Sequence, residues 1–123
     1  RYMEGTHIKT DLPERTFEFA VRVVNLCETL DKTPGVSRTL SRQLLRSGTS
    51  IGANVEEGQA SQSRLDFISK YSIACKEARE THYWRRLLAA TEILPPARLQ
   101  AITDECNELI AILTTIVKKS RES

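Results

Sequence analysis

Glycine and proline are scarce, at 5 and 4 of 123 residues. So few turn formers cannot serve the many short strands of a sandwich or barrel, and long helices are expected instead. No run approaches the roughly 18 consecutive apolar residues of a membrane span. Residues 1–10 also lack an apolar signal region, so the expectation is a cytoplasmic protein with no membrane partner. The 3 cysteines, Cys27, Cys75 and Cys106, are odd in number and form no C-x-x-C pair. That argues against a disulfide framework or a zinc site and fits a reducing compartment. There are 2 histidines, His7 and His82, and the one Glu-x-x-His, Glu4-Gly5-Thr6-His7, precedes the first expected helix. A di-iron bundle site needs that motif on facing helices, and the adjacent Glu56 and Glu57 diverge by about 100°. No metal and no cofactor is expected. Nor does the stretch around Gly48 and Gly52 match the G-x-x-x-x-G-K-[ST] spacing of a phosphate-cradling loop.

What remains is an ordinary globular composition, 40% hydrophobic and 28% charged. The length suits one domain. Residues 1–11 read as a flexible N-terminal segment and 12–123 as a single domain. Four apolar stripes mark four helices. The first starts near Pro13, with Glu14 favouring the positive end of the dipole, and ends before Thr33-Pro34-Gly35. Its apolar positions, from Phe17 to Leu30, cover an arc of about 220°, more than one neighbouring core requires. The surplus must meet either another face of a tight bundle or another subunit.

The second helix runs from a cap at Ser37 to near Gly58, with Leu40, Leu44, Ile51 and Val55 on one side. Gly48 and Gly52 inside it each cost up to about 1 kcal/mol relative to Ala, a cost that close approach of another backbone would offset. The third is expected from Arg64 to Glu92, stopped by Ile93-Leu94-Pro95-Pro96. A fourth follows from Ala97 to Lys119 with clean i, i+3, i+4 spacing through Leu99, Ile102, Cys106, Leu109 and Leu113. Short connections between long helices predict an all-α, antiparallel up-down-up-down four-helix bundle.

The formal charge is only +2, but 12 of 18 basic residues are Arg. Positive charge gathers on the second and third helices. Arg38, Arg42 and Arg46 follow at i+4 steps opposite the apolar side, with no acid between them, and such a row can displace counterions from a nucleic-acid backbone. Lys76, Arg85 and Arg86 are secondary candidates. Tyr71, Tyr83 and Trp84 could stack on bases, although aromatics at helical spacing usually anchor cores or interfaces. Cys75 and His82 share a side of the third helix, yet seven residues separate them by about 10 Å, too far for a nucleophilic pair. No catalytic residue is expected, and a non-enzyme is the reading.

The run from Arg46 to Glu57, RSGTSIGANVEE, followed by Asp66-Phe67-Ile68 and Cys75-Lys76-Glu77-Ala78-Arg79-Glu80-Thr81, resembles the bacterial four-helix bundle family encoded in intervening sequences of large-subunit ribosomal RNA genes. The resemblance extends through Arg15-Thr16-Phe17-Glu18-Phe19 and Asn107 to Leu113. It implies a ring-shaped homopentamer and carries no catalytic residue over. A more distant resemblance, to the accessory protein of diversity-generating retroelements, implies RNA or DNA as a partner and a reverse transcriptase as a candidate protein partner. Trp84-Arg85-Arg86 departs from the family's Trp-Leu-Arg, placing a charge where an apolar contact is usual. The combined expectation is a homo-oligomeric, nucleic-acid-associated accessory factor. The competing reading is a structural or protein-binding scaffold whose Arg row is merely solvated.

Overall fold

The computed structural model of the chain describes residues 11–122. The segment expected at residues 1–11 lies outside them except for Asp11, as does His7. The described residues form four helices, α1 (Leu12–Leu30), α2 (Val36–Gln59), α3 (Arg64–Ala90) and α4 (Pro96–Glu122), and no strand. This is the expected all-α four-helix bundle.

Contacts between consecutive helices fix the directions. Cys27 bonds Ser41, while Thr16 lies against Gly52. Lys70 pairs with Glu57, while Thr81 bonds Ser47. Cys106 bonds Ala78, while Arg64 reaches Ser120. In each pair a rising number on one helix meets a falling number on the next, so neighbours run antiparallel. The seam between α1 and α4 is the most sparsely packed of the four.

Local chemistry explains most boundaries. The Asp11 side chain accepts a bond from the Glu14 N–H at 3.3 Å, and Pro13 sits in the first turn, where its missing N–H is harmless. Ser63 caps α3 by accepting from the Asp66 N–H at 3.0 Å. At α2 the expected cap is corrected: Gly35, with φ of 93°, holds that position, and Ser37 instead donates to the Leu30 carbonyl at 2.9 Å. The first turn of α2 is thereby tied to the last turn of α1.

Helix α3 also ends earlier than its sequence suggests. The Glu92 N–H bonds the Ala89 carbonyl and the Ile93 N–H bonds the Leu88 carbonyl, a Schellman pattern that turns the chain before either proline. Glu92 occupies the left-handed position with φ of 59°, where glycine is usual. Pro96 then opens α4 rather than only blocking α3.

The core runs the length of the bundle and includes Phe19, Val23, Leu44, Ile51, Leu88, Leu109 and Leu113, all essentially inaccessible. Each such side chain contributes roughly 1.5–3 kcal/mol relative to an exposed one. Small residues on α2 set how near its neighbours come. A Cβ on Gly52 would lie 3.2 Å from the Thr16 carbonyl oxygen, so the expected approach of another backbone occurs here. On Gly48 it would meet the Val23 methyls at 2.9 Å, a side-chain contact rather than a backbone one. Gly58, which the sequence did not single out, faces the Tyr71 ring, 2.6 Å from where its Cβ would be. Tyr71 stacks on Phe67 with centroids 4.2 Å apart, and its hydroxyl accepts from Gln59 at 2.8 Å. It is thus an anchor of the core.

Candidate nucleic-acid interface

The row Arg38, Arg42 and Arg46 lies on the outer side of α2, but neighbouring elements bring acids to both of its ends. Arg38 donates twice to the Asp31 carbonyl, at 2.9 and 3.1 Å, and pairs with its carboxylate at 3.5 Å. Arg46 forms ion pairs with Glu77 and Glu80 of α3. Glu80 also accepts from the Trp84 indole N–H at 2.9 Å. Only Arg42 of the three has no ion pair among the described residues. A row that is free of acids along its own helix is therefore largely neutralised in three dimensions.

Cations without acidic partners gather instead along the seam between α3 and α4. An open groove of about 510 Å³ there is lined by Lys76, Arg79, Lys118 and Arg121, with Glu122 as its one acid. Arg79 donates to the Thr114 hydroxyl and Arg121 to the Ser72 hydroxyl, each at 3.3 Å. Neutral hydroxyls orient these guanidinium groups without cancelling their charge. Lys76 and Lys118 have no partner among the described residues. Of this group the sequence singled out only Lys76, because the others become neighbours only when two helices about 40 positions apart pair. A signal was present in the excess of cations over acids on α3 and at the end of α4.

On α3 the exposed residues Lys76, Arg79, Tyr83 and Arg86 stand at i, i+3, i+7 and i+10, within about 80° of arc. Tyr83 is 52% exposed and meets the Trp84 ring edge-on at 5.1 Å. The aromatics thus divide: Tyr71 is core, Trp84 is half-buried and tied to Glu80, and Tyr83 faces outward beside the cations.

The cysteines hold no reactive constellation. The Cys27 thiol donates to the Ser41 carbonyl and the Cys106 thiol to the Ala78 carbonyl, and both are buried. Burial pushes both thiols up, Cys106 to about 12. Cys75 contacts the Thr114 hydroxyl at 3.4 Å, while His82 bonds Arg85, so the two are not joined. Among the described residues no group of three or more His, Cys, Asp or Glu could hold a metal ion. No helix among them is long and apolar enough to cross a membrane.

Helix α1 accounts for its wide apolar arc. Phe17, Val21 and Val24, at i, i+4 and i+7, are 60%, 44% and 40% exposed on the side away from the core. On α2, Leu45 is likewise exposed, at 38%. Around α1, Arg15 forms an ion pair with Glu105 at 2.7 Å that bridges to α4.

The family model for the 23S rRNA-intervening sequence protein matches residues 9–115. The chain belongs to this family. A solved structure of similar fold is that of a protein of unknown function from the S23 ribosomal protein family of Bacteroides thetaiotaomicron. It is 44% identical, the alignment covers 86% of this chain and 97% of that one, and the TM-score is 0.79. No curated protein matches this chain. In this 23S rRNA-intervening sequence protein, Arg85 follows Trp84 within α3. Arg85 is half-buried and donates to His82 Nδ1 at 2.9 Å, but its Nε is buried with no hydrogen-bond partner. Burial holds His82 below its ordinary pKa, helped by the positive charges of Arg85 and Arg86.

Proposed function

We propose that this 23S rRNA-intervening sequence protein is a non-enzymatic homo-oligomer, a pentamer, that acts as a nucleic-acid-associated accessory factor. The observation that carries the assembly half is the stripe of Phe17, Val21 and Val24 on the outside of α1. Aligned apolar side chains on a side the bundle does not use are what a second copy would cover. Nucleic-acid association draws support from Lys76, Arg79, Lys118 and Arg121, which form no ion pair among the described residues. A reverse transcriptase is the protein partner to test first, following the more distant resemblance.

The scaffold reading has one observation in its favour. Both ends of the row Arg38, Arg42 and Arg46 are occupied by Asp31, Glu77 and Glu80, which gives those arginines a structural task. Light scattering after size exclusion decides the assembly half. The expected mass is about five times the 13.9 kDa chain, and Val21→Asp should release a helical monomer. A monomeric wild-type chain at micromolar concentration refutes it. Purification without nuclease, followed by the absorbance ratio at 260 and 280 nm, tests the other half. A chain that carries no nucleic acid and binds none at low salt moves the reading to the scaffold.

A further inference from the structure

We propose that the exposed seam of α3 and α4 is a track for a single-stranded nucleic acid, with Lys76, Arg79, Lys118 and Arg121 holding phosphates and Tyr83 stacking on a base. This rests on the nucleic-acid reading above and assigns it a surface other than the arginine row of α2.

The charge is available. Arg79 and Arg121 spend a hydrogen bond each on a hydroxyl, and Lys76 and Lys118 have no partner among the described residues. Cations at the end of a helix ordinarily complement its dipole and bond its last carbonyls. At α4 the carbonyl task falls to Arg64, which donates to the Ser120 carbonyl at 2.7 and 3.0 Å. Lys76 and Arg79 lie in the middle of α3, where no dipole end explains them. Four like charges around one groove, with only Glu122 to offset them, repel one another, and a polyanion lying in the groove would remove that repulsion.

The shape favours a strand. From Lys76 to Arg86 the exposed stripe on α3 rises about 15 Å, at 1.5 Å per residue. A stacked strand carries a phosphate about every 3.4 Å, so the stripe meets about four nucleotides. Tyr83 stands among the cations, so a base turned away from the phosphates reaches an aromatic ring. A cationic groove interleaved with an aromatic is the general arrangement for binding single strands without reading their sequence. In a bundle whose helices pack in chain order, this seam lies across from the α1/α2 side that carries Phe17, Val21 and Val24.

Fluorescence anisotropy of labelled twenty-nucleotide oligothymidylate, titrated with the full chain across a range of salt, tests the track. Each phosphate contact removed should flatten the logarithmic salt slope by about 0.7, so Lys76→Gln with Lys118→Gln should lower it by about 1.4. Tyr83→Ala should weaken binding about tenfold with the slope unchanged, and Tyr83→Phe should restore it. Bound strand should also slow alkylation of Cys75, which lines the groove, while Cys27 and Cys106 are buried.

An unchanged slope in the double lysine variant, with the fold and oligomeric mass intact, overturns the track alone. Loss of binding in Arg42→Gln instead assigns the contact to α2, with the same effect. If polyglutamate displaces the strand at equal charge concentration, the groove takes acidic protein and the proposal fails. A wild-type chain that binds no strand at low salt overturns both this inference and the reading it rests on.

Discussion

Replacing Gly58 with Ala sets two opposed effects against each other. Alanine is favoured over glycine in a helix interior by about 1 kcal/mol, so propensity alone predicts a more stable protein. The added Cβ, however, would stand 2.6 Å from two atoms of the Tyr71 ring. That ring is fully buried, stacked on Phe67 at 4.2 Å and tied through its hydroxyl to Gln59. It cannot swing aside as a flexible chain end would, so α2 and α3 must separate. Overpacking of this kind costs about 1–3 kcal/mol and occasionally more. The expected net effect is a loss of about 1 kcal/mol, and more if the Gln59 bond breaks. Urea unfolding followed by circular dichroism should show a midpoint lowered by about 0.5 M, for a slope of about 2 kcal/mol per M. A protein stabilised by about 1 kcal/mol would mean that the Tyr71 ring yields freely, and would refute the close α2/α3 approach.

Glu92→Gly should raise stability by about 1 kcal/mol, because glycine accepts φ of 59° without the steric cost a side chain carries there; an unchanged urea midpoint would contradict this. Arg85→Leu should raise the melting temperature by about 3–5 °C by removing a buried nitrogen that lacks a partner, as thermal unfolding would register. Because His82 binds its proton less tightly in the folded chain than in the unfolded one, stability should fall as pH drops below about 6.5, and less so in His82→Gln. Iodoacetamide at pH 8 should label Cys75 in the native chain and reach Cys27 and Cys106 only in denaturant, as intact mass would report.

The helices were legible because apolar residues recur at helical spacing against few glycines and prolines. Their ends were less so. Ser37 has the chemistry of a cap, but the left-handed turn at Gly35 starts α2 two residues earlier and frees Ser37 to bond α1. Helix α3 stops at Ala90 because backbone bonds through Glu92 and Ile93 close it, and glutamate gives no hint of that in sequence. The arginine row of α2 shows the limit of reading one helix at a time. Its acids, Glu77 and Glu80, lie more than thirty positions away on a neighbouring helix. Of the groove cations only Lys76 was singled out, for the same reason. In contrast, the surplus apolar arc of α1 was a property of one helix, and Phe17, Val21 and Val24 are exposed there.

The order in which the helices pack has a consequence for how the chain acquires its shape. Every extensive seam joins helices that are consecutive, so the segments that must meet are separated by a short turn and little loop entropy is lost in bringing them together. Such local topologies fold on microsecond to millisecond timescales. A hairpin of α1 and α2 can therefore form while the rest of the chain is still being synthesised, with α3 and then α4 adding to a surface already made. Only the junction of α1 with α4, where Arg15 reaches Glu105, joins helices far apart in the sequence. It is accordingly the place where native-state hydrogen exchange should find the bundle opening first.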